Sequence, residues 1–253
     1  MIALAIVPRN VLAQFNVNGV VAHRSAWKTK DIPQNSIEGL VRANEIGSYA
    51  AEIDIHLTKD NVPVVNHDHD FLGIPIETSN YEELLARTLP NGEKIPTLEE
   101  YIEKTLEFPR IKLWVDIKNS QVSKARTIDI GKYAADVVEK LDAHDRVEFI
   151  GPNFEVLVKI LMDHPTARVL YIGSDKEPDV LRKLGFIGVD LGYKRFNSGE
   201  YSVSAAKEAG LLVGSYTVDT REEMIRQLES GVDFITTNEP ELLFELLEKM
   251  EKQ

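Results

Sequence analysis

Ala50-Ala51-Glu52-Ile53-Asp54-Ile55-His56-Leu57 alternates apolar and polar residues, and the segment after it, Val62-Pro63-Val64-Val65-Asn66-His67-Asp68, is a second strand-like run. Alternation with a period of two reads as a β-strand. Residues two apart on a strand point to the same face, so Glu52 and Asp54 stand side by side. Like charges at that spacing are costly unless a cation or a proton lies between them. The pair is therefore a candidate site for a hard divalent metal with oxygen ligands. A solvated strand face is the commoner reading of an isolated Glu-x-Asp. Two histidines raise the functional reading: His67 ends the Val62 to Val65 run, and His23 ends Gly19-Val20-Val21-Ala22.

Outward from this pair, short Val/Ile-rich runs alternate with helical patterns. Asn35 to Ile46 carries an apolar helical face at Ile37, Leu40, Val41 and Ile46. Residues 71–96 read as irregular, with a helix over Tyr81 to Arg87. Thr97 with Glu100 forms a capping box that opens the next helix. Strand Ile111 to Ile117 and helix Ser123 to Leu141 follow. The second half repeats the rhythm: strands Val147 to Ile150, Arg168 to Ile172, Ile187 to Leu191, Leu211 to Val218 and Val232 to Thr236, each followed by a helix. Gly185, Gly210 and Gly231 stand where helix C-caps belong. About eight strands separated by helices, over this length, predict an α/β fold of the TIM (β/α)8 barrel type in a single domain spanning 19–253. The runner-up, a doubly wound sheet, would carry a Gly-rich phosphate loop after its first strand. Here that strand ends in His23-Arg24-Ser25. A barrel puts its active site at the C-terminal strand ends, where His23, Asp54, His67 and Asp116 fall.

The composition narrows the partners. The chain of 253 residues is 43% hydrophobic and 28% charged, ordinary for a soluble globular protein. Asp and Glu total 41 against 29 Lys and Arg, a net charge of −12. That balance argues against nucleic acid or an anionic membrane as a partner. There is no cysteine, which excludes disulfides, zinc–thiolate sites and thiol nucleophiles. No apolar run approaches the ~20 residues of a spanning helix, so no stable membrane insertion is expected. Residues 1–18 read as an N-terminal tail. Its apolar start, Met1 to Val7, and Val11-Leu12-Ala13-Gln14 make it a candidate signal-peptide remnant. On that reading the protein is periplasmic or secreted, and otherwise cytoplasmic.

Taken in order, the motifs resemble the glycerophosphodiester phosphodiesterase family. The matching pieces are His23-Arg24, Pro33-Gln34-Asn35-Ser36, Glu52-Ile53-Asp54, Val65-Asn66-His67-Asp68, Asp116-Ile117-Lys118, Thr217-Val218-Asp219 and the run from Gly231 to Pro240. Each piece is weak and the ordered set is strong. The resemblance implies a barrel enzyme that hydrolyses small-molecule glycerophosphodiesters to glycerol 3-phosphate and an alcohol. It implies one divalent ion, Mg2+ or Ca2+, on Glu52, Asp54 and Asp116. It implies His23 and His67 as the acid–base pair, with Arg24, Lys118 and Tyr216 on the substrate. The chemistry is coherent, because a divalent ion neutralises an anionic phosphodiester and imidazoles suit proton transfer near neutral pH. His67 is the expected acid. His56, His69, His144 and His164 fall at polar or loop-like positions and are expected to be solvated.

The chain departs from the family pattern at several points. Ser25 stands where Gly is usual, and Gln34 where Glu is usual. Asp116 replaces a Glu ligand, Gly151-Pro152-Asn153-Phe154 replaces a Ser-Phe motif, Tyr216 replaces Trp and Asn238 replaces Asp. Two alternatives remain open. One is a phosphodiesterase like the sphingomyelinase D and lysophospholipase D enzymes, some of which use an Asp as third ligand. The other is a non-catalytic barrel that binds phospholipid headgroups. Trp27 and the 71–96 segment read equally as active-site rim or as packing.

Overall fold

The computed structural model describes residues 19–251, so the signal-like tail, residues 1–18, lies outside the described residues. In chain order the strands are β1 (Val20–Ala22), β2 (Ala50–Leu57), β3 (Pro63–Val65), β4 (Asp70–Phe71), β5 (Ile74–Pro75), β6 (Lys112–Ile117), β7 (Val147–Gly151), β8 (Arg168–Tyr171), β9 (Gly188–Gly192), β10 (Leu212–Tyr216) and β11 (Phe234–Thr237). Strands β1, β2 and β6 to β11 are parallel neighbours in a ring. β1 closes it by pairing with β11 on one side (Val20 opposite Ile235) and β2 on the other (Val21 opposite Ala50). The architecture is the eight-stranded parallel barrel with helices that the sequence rhythm predicts.

The period of two explains how the barrel fills. On one face of the strands, Val21, Ala50, Trp114, Ile150, Leu170 and Phe234 pack into a single cluster that plugs the barrel. The intervening residues, among them Leu113, Val115, Phe149, Val169 and Val213, pack against the helices in a separate larger core. Helix ends follow local chemistry. Thr97 and Glu100 form the capping box of helix Leu98–Leu106, and Ser123 caps Lys124–Lys140 by accepting from the Arg126 amide. Gly185, Gly210 and Gly231 have φ of 96°, 81° and 85°, the left-handed region that glycine enters without strain.

Three features depart from the sequence reading. The Val62 to Asn66 run is not a barrel strand: β3 pairs antiparallel with β2, Ile55 opposite Val65. Residues 58–62 are too short for the crossover that a parallel neighbour requires. The 71–96 segment is more ordered than expected. It holds the β4–β5 hairpin and helix Tyr81–Leu84, closed over a small core of Val64, Phe71, Ile76, Leu84 and Ile95. A short helix, Tyr193–Asn197, follows β9 where the sequence gives no apolar period.

At the N-terminal end of the barrel the plug finishes in a buried polar knot. Glu148 is fully buried. It accepts hydrogen bonds from Arg168 Nε at 2.7 Å, Trp114 Nε1 at 2.7 Å, Lys112 Nζ at 3.1 Å and the Tyr49 hydroxyl at 3.2 Å. Burial pushes this carboxyl up, but Lys112 and Arg168 outweigh it and hold the group below the usual carboxylate range. Removing one member of such a knot leaves uncompensated buried charge. Glu148→Ala is expected to lower the unfolding free energy by about 3–5 kcal/mol, read from a denaturant titration. Because the folded pKa is depressed, this stabilisation is present above the unfolded value of ~4.3 and drains away as pH falls through the lower folded value. Acid titrations should therefore show a steeper loss of stability in the wild type than in Glu148→Gln. Equal slopes would remove Glu148 from the acid response.

Candidate active site

At the opposite end of the barrel the loop after β1 is wound so that it grips β2. Arg24 and Ser25 have φ of 52° and 69°, and Asn35 has φ of 58°. Left-handed backbone is costly for most residues and easy for Gly, so Ser25 occupies a glycine-like position. Its side chain is held in compensation. The Tyr101 hydroxyl donates its proton to the Ser36 carbonyl at 2.7 Å, so the Ser25 hydroxyl donates to Tyr101 Oη, also at 2.7 Å. The turn aims the Arg24 amide at Glu52 Oε2, 2.8 Å away. Asn35 donates from Nδ2 to Asp54 Oδ2 at 2.9 Å and accepts the Asp54 amide at 3.2 Å. Gln34, in place of an acid, still accepts from Arg24 Nη1 at 2.8 Å.

These clamps hold an electrostatically unfavourable cluster. Asp54 on β2 stands in register with Asp116 on β6. Glu52, Asp54 and Asp116 each offer an oxygen within 4.8 Å of the others, and all three are buried. Burial, then the neighbouring Asp54 and Asp116, pushes the Glu52 carboxyl well above the ordinary range. Burial likewise pushes Asp116 up to about 6, against the pull of Lys118. Burial acts upward on Asp54 as well, but the Lys118 ammonium and the Asn35 amide outweigh it and hold it low. Lys118 Nζ lies 2.6 Å from both Asp54 Oδ1 and Asp116 Oδ2. Asp116 Oδ1 is buried with no hydrogen-bond partner among the described residues. Three converging carboxylates, one with an orphaned oxygen, fit a hard divalent cation.

The two histidines flank this cluster and differ in their surroundings. β2 runs past the barrel rim, and β3 brings the chain back so that the Asn66 amide bonds the Asp54 carbonyl at 3.0 Å. His67 therefore reaches the cluster from a returning antiparallel hairpin and not from a barrel strand. Its Nδ1 is 2.8 Å from Asp68 Oδ1, and the side chain is 39% exposed. His56, expected to be solvated, is fully buried. It shares the inward face of β2 with Glu52 and Asp54, and the returning chain covers it. Its Nε2 lies 3.1 Å from the His67 carbonyl, and its ring packs edge-on against His69.

His23 is more enclosed, and its tautomer follows from its neighbours. The Asp219 carboxylate only accepts, so Asn238 turns its amide nitrogen toward Oδ2 at 2.8 Å. Asn238 Oδ1 then faces His23 Nδ1 at 2.8 Å and Trp27 Nε1 at 3.2 Å. An oxygen facing Nδ1 needs the proton on that nitrogen, leaving the Nε2 lone pair free. Nε2 lies 4.0 Å from Glu52 Oε2. Burial pulls this imidazole below its ordinary 6.5, despite the Asn238 hydrogen bond. Trp27 thus shares its acceptor with His23 and sits beside the cleft without lining it.

All eight residues singled out from the sequence line one cleft of about 320 Å³, with Tyr216 at the end of β10. Ile150, Pro152 and Ile172 form an apolar wall of the same cleft, and Asp190 and Thr236 lie in it. The sequence reading did not single out Asn35, Asp68, Asp219 or Asn238 as site residues. All four lie in or beside motifs it quoted, so the signal was proximity within a motif. Asp190 gave only a faint signal, one charge inside the apolar run Ile187 to Leu191.

Comparison with known proteins agrees with this fold. Residues 23–242 match the Glycerophosphoryl diester phosphodiesterase family. A glycerophosphodiester phosphodiesterase from Parabacteroides distasonis, solved by crystallography, is 36% identical with a TM-score of 0.87, covering 92% of this chain and 98% of that one. A glycerophosphodiester phosphodiesterase from Caldanaerobacter subterraneus is 29% identical over 248 residues, covering 91% of this chain and 98% of the relative. A phosphodiesterase from Oleispira antarctica, solved with the product sn-glycerol-3-phosphate, shares the fold at 21% identity and a TM-score of 0.77, covering 92% and 97%. The family match begins at His23, directly after β1, and runs past Asn238, so it takes in the other seven strands of the ring and every residue of the cleft; the chain belongs to the glycerophosphoryl diester phosphodiesterase family.

Proposed function

We propose that this protein hydrolyses glycerophosphodiesters to glycerol 3-phosphate and an alcohol, in a metal-dependent reaction with His23 and His67 as the proton-transfer pair. The observation that carries the reading is the convergence of the Glu52–Asp54–Asp116 cluster, both histidines, Arg24 and Lys118 on one cleft, in a chain of this family. Glu52, Asp54 and Asp116 would hold the Mg2+ or Ca2+, which supplies charge neutralisation to the anionic diester. Arg24 and Lys118 hold the non-bridging phosphate oxygens. His23, with its Nδ1 proton given to Asn238, accepts a proton at Nε2 from the attacking water. The water oxygen bonds to phosphorus as the bond from phosphorus to the alcohol oxygen breaks. His67, oriented through Nδ1 by Asp68, gives a proton from Nε2 to the departing alkoxide. A headgroup-binding barrel without catalysis would have no use for a His23 tautomer locked in this way.

Chelation is expected to abolish turnover of glycerophosphocholine, and added Mg2+ or Ca2+ to restore it. Full activity after thorough chelation would remove the metal. Glu52→Gln and Asp54→Asn should lose activity while keeping the wild-type circular dichroism and melting temperature. Product analysis by phosphorus NMR tests the route: glycerol 3-phosphate indicates water attack, and a persisting cyclic phosphate would indicate attack by a substrate hydroxyl instead.

The histidine roles separate by leaving group. His23→Ala and His67→Ala should each lower kcat/KM on glycerophosphocholine by about 10²–10⁴-fold. A 4-nitrophenyl diester needs no proton from the enzyme, so it should restore the His67 variant and not the His23 variant. Rescue of both, or of neither, contradicts the assignment. Asn238→Leu removes the acceptor that fixes the His23 tautomer. It should lower kcat by on the order of 10²-fold, the low end of acid–base contributions, with KM little changed. An unchanged kcat would show that Asn238 does not orient His23.

A further inference from the structure

Asp190 lies on β9, buried in the floor of the cleft with 1% of its surface exposed. No cation approaches it closely among the described residues. Among those residues Oδ2 meets only the Thr236 hydroxyl, at 3.5 Å, and Oδ1 has no hydrogen-bond partner. A buried, unsatisfied carboxyl destabilises a protein unless something else uses it. The surrounding backbone makes room for it. Gly214 faces Asp190 across β10, and a Cβ built there would sit 2.5 Å from Oδ1. Burial pushes this carboxyl well above the ordinary range, so it suits neutral hydrogen-bonding partners better than a cation. The reacting and charge-holding groups, His23, Arg24, Lys118 and the acidic cluster, lie on or just after the neighbouring strands β1, β2 and β6. The next strands round the ring, β7 to β9, supply the apolar wall of Ile150, Pro152 and Ile172 together with Asp190, and Thr236 reaches Asp190 from β11.

We propose that Asp190 is a substrate-binding residue that reads the hydroxyls of the glycerol moiety, with Thr236 beside it, and so makes a vicinal diol the part of the substrate that the enzyme selects. The inference rests on the phosphodiesterase reading above. A carboxyl offers both an acceptor oxygen and, when protonated, a donor, which matches two neighbouring hydroxyls. The glycerol carbons would lie on the apolar wall. Depth supports the assignment: the floor admits a small, constant group, while an alcohol of variable size needs the more open part of the cleft near Tyr216.

The test compares two chromogenic diesters that share a leaving group, the 4-nitrophenyl esters of glycerol 3-phosphate and of propyl phosphate, which lacks both hydroxyls. Asp190→Leu should lower kcat/KM on the glycerol ester about 10- to 100-fold, the range of one or two lost hydrogen bonds, and on the propyl ester less than about 3-fold. Gly214→Ala, which leaves the aspartate in place but crowds Oδ1, should shift the preference in the same direction. The melting temperature of Asp190→Leu should be unchanged or higher, since an unpartnered buried polar atom is gone. Equal losses on both esters would make Asp190 a structural residue and overturn the proposal, with hydrolysis itself intact. So would a loss confined to glycerophosphocholine and absent from the glycerol nitrophenyl ester, because it would put the choline on Asp190. If the wild type hydrolyses neither ester nor glycerophosphocholine, the phosphodiesterase reading fails. Calorimetric titration with glycerol 3-phosphate and propyl phosphate then decides the diol contact alone. Tighter binding of the glycerol compound that is lost in Asp190→Leu upholds it, and equal affinity overturns it.

Discussion

The repulsion among Glu52, Asp54 and Asp116 is the constraint around which the upper half of this barrel is built. Three carboxylates within 4.8 Å of one another do not stay together unaided. The structure answers with donors from several directions: the Arg24 amide on Glu52, the Asn35 amide on Asp54, and the Lys118 ammonium between Asp54 and Asp116. Two of these donors, Arg24 and Asn35, come from a loop whose path is otherwise unfavourable. Arg24, Ser25 and Asn35 all adopt left-handed backbone. The strain of that loop is explained by what it points at, and strain of this kind persists where surrounding structure over-determines it.

The two ends of the barrel use buried charge in opposite ways. At the N-terminal end a single carboxylate, Glu148, meets Lys112 and Arg168 together with two neutral donors. Its charge is matched, and the knot closes the plug of Trp114, Leu170 and Phe234. At the C-terminal end the acids outnumber the close bases, and Asp116 and Asp190 each keep an oxygen without a partner among the described residues. The same strands carry both ends: β6 presents Lys112, Trp114 and Asp116 in succession along its inward face. Stability is concentrated where the partners are complete, and reactivity where they are not. Active sites at the C-terminal strand ends of such barrels follow this division.

Much of this was legible from residue patterns, for identifiable reasons. The barrel follows from strands of period two separated by capped helices, since both signals are local. The eight cleft residues lie within motifs, because a strand end fixes its side chains with few degrees of freedom. What escaped the sequence depended on contacts between distant segments. Val62 to Val65 has the composition of a barrel strand, and only its short connection to β2 shows that it must return antiparallel. His56 is a polar position of the alternating strand and becomes buried because the returning chain at His67 and His69 covers it. Asp190 is one acid in an apolar strand. Its significance appears only when Gly214 and Thr236 are seen across the neighbouring strands.

The substitution of Asn238 for an acid shows how a departure from a family pattern can carry chemical information. An Asp at this position would place a second carboxylate against Asp219, and the mutual repulsion would have to be relieved by a proton or by movement. The amide avoids that conflict, because it donates to Asp219 and accepts from His23 at the same time. An amide has one donor end and one acceptor end, so fixing either fixes the other. The backbone amide of Asn238 also donates to Asp219 Oδ1 at 2.8 Å, which holds the loop in place. Asp219 therefore determines which nitrogen of His23 bears the proton without touching the histidine. The path runs from the loop after β10, through the loop after β11, to the end of β1, across three neighbouring strands of the ring. Closure of the barrel is what brings the two ends of that path together. The proton position at His23 is thus a property of the closed fold, and no segment of the chain specifies it alone.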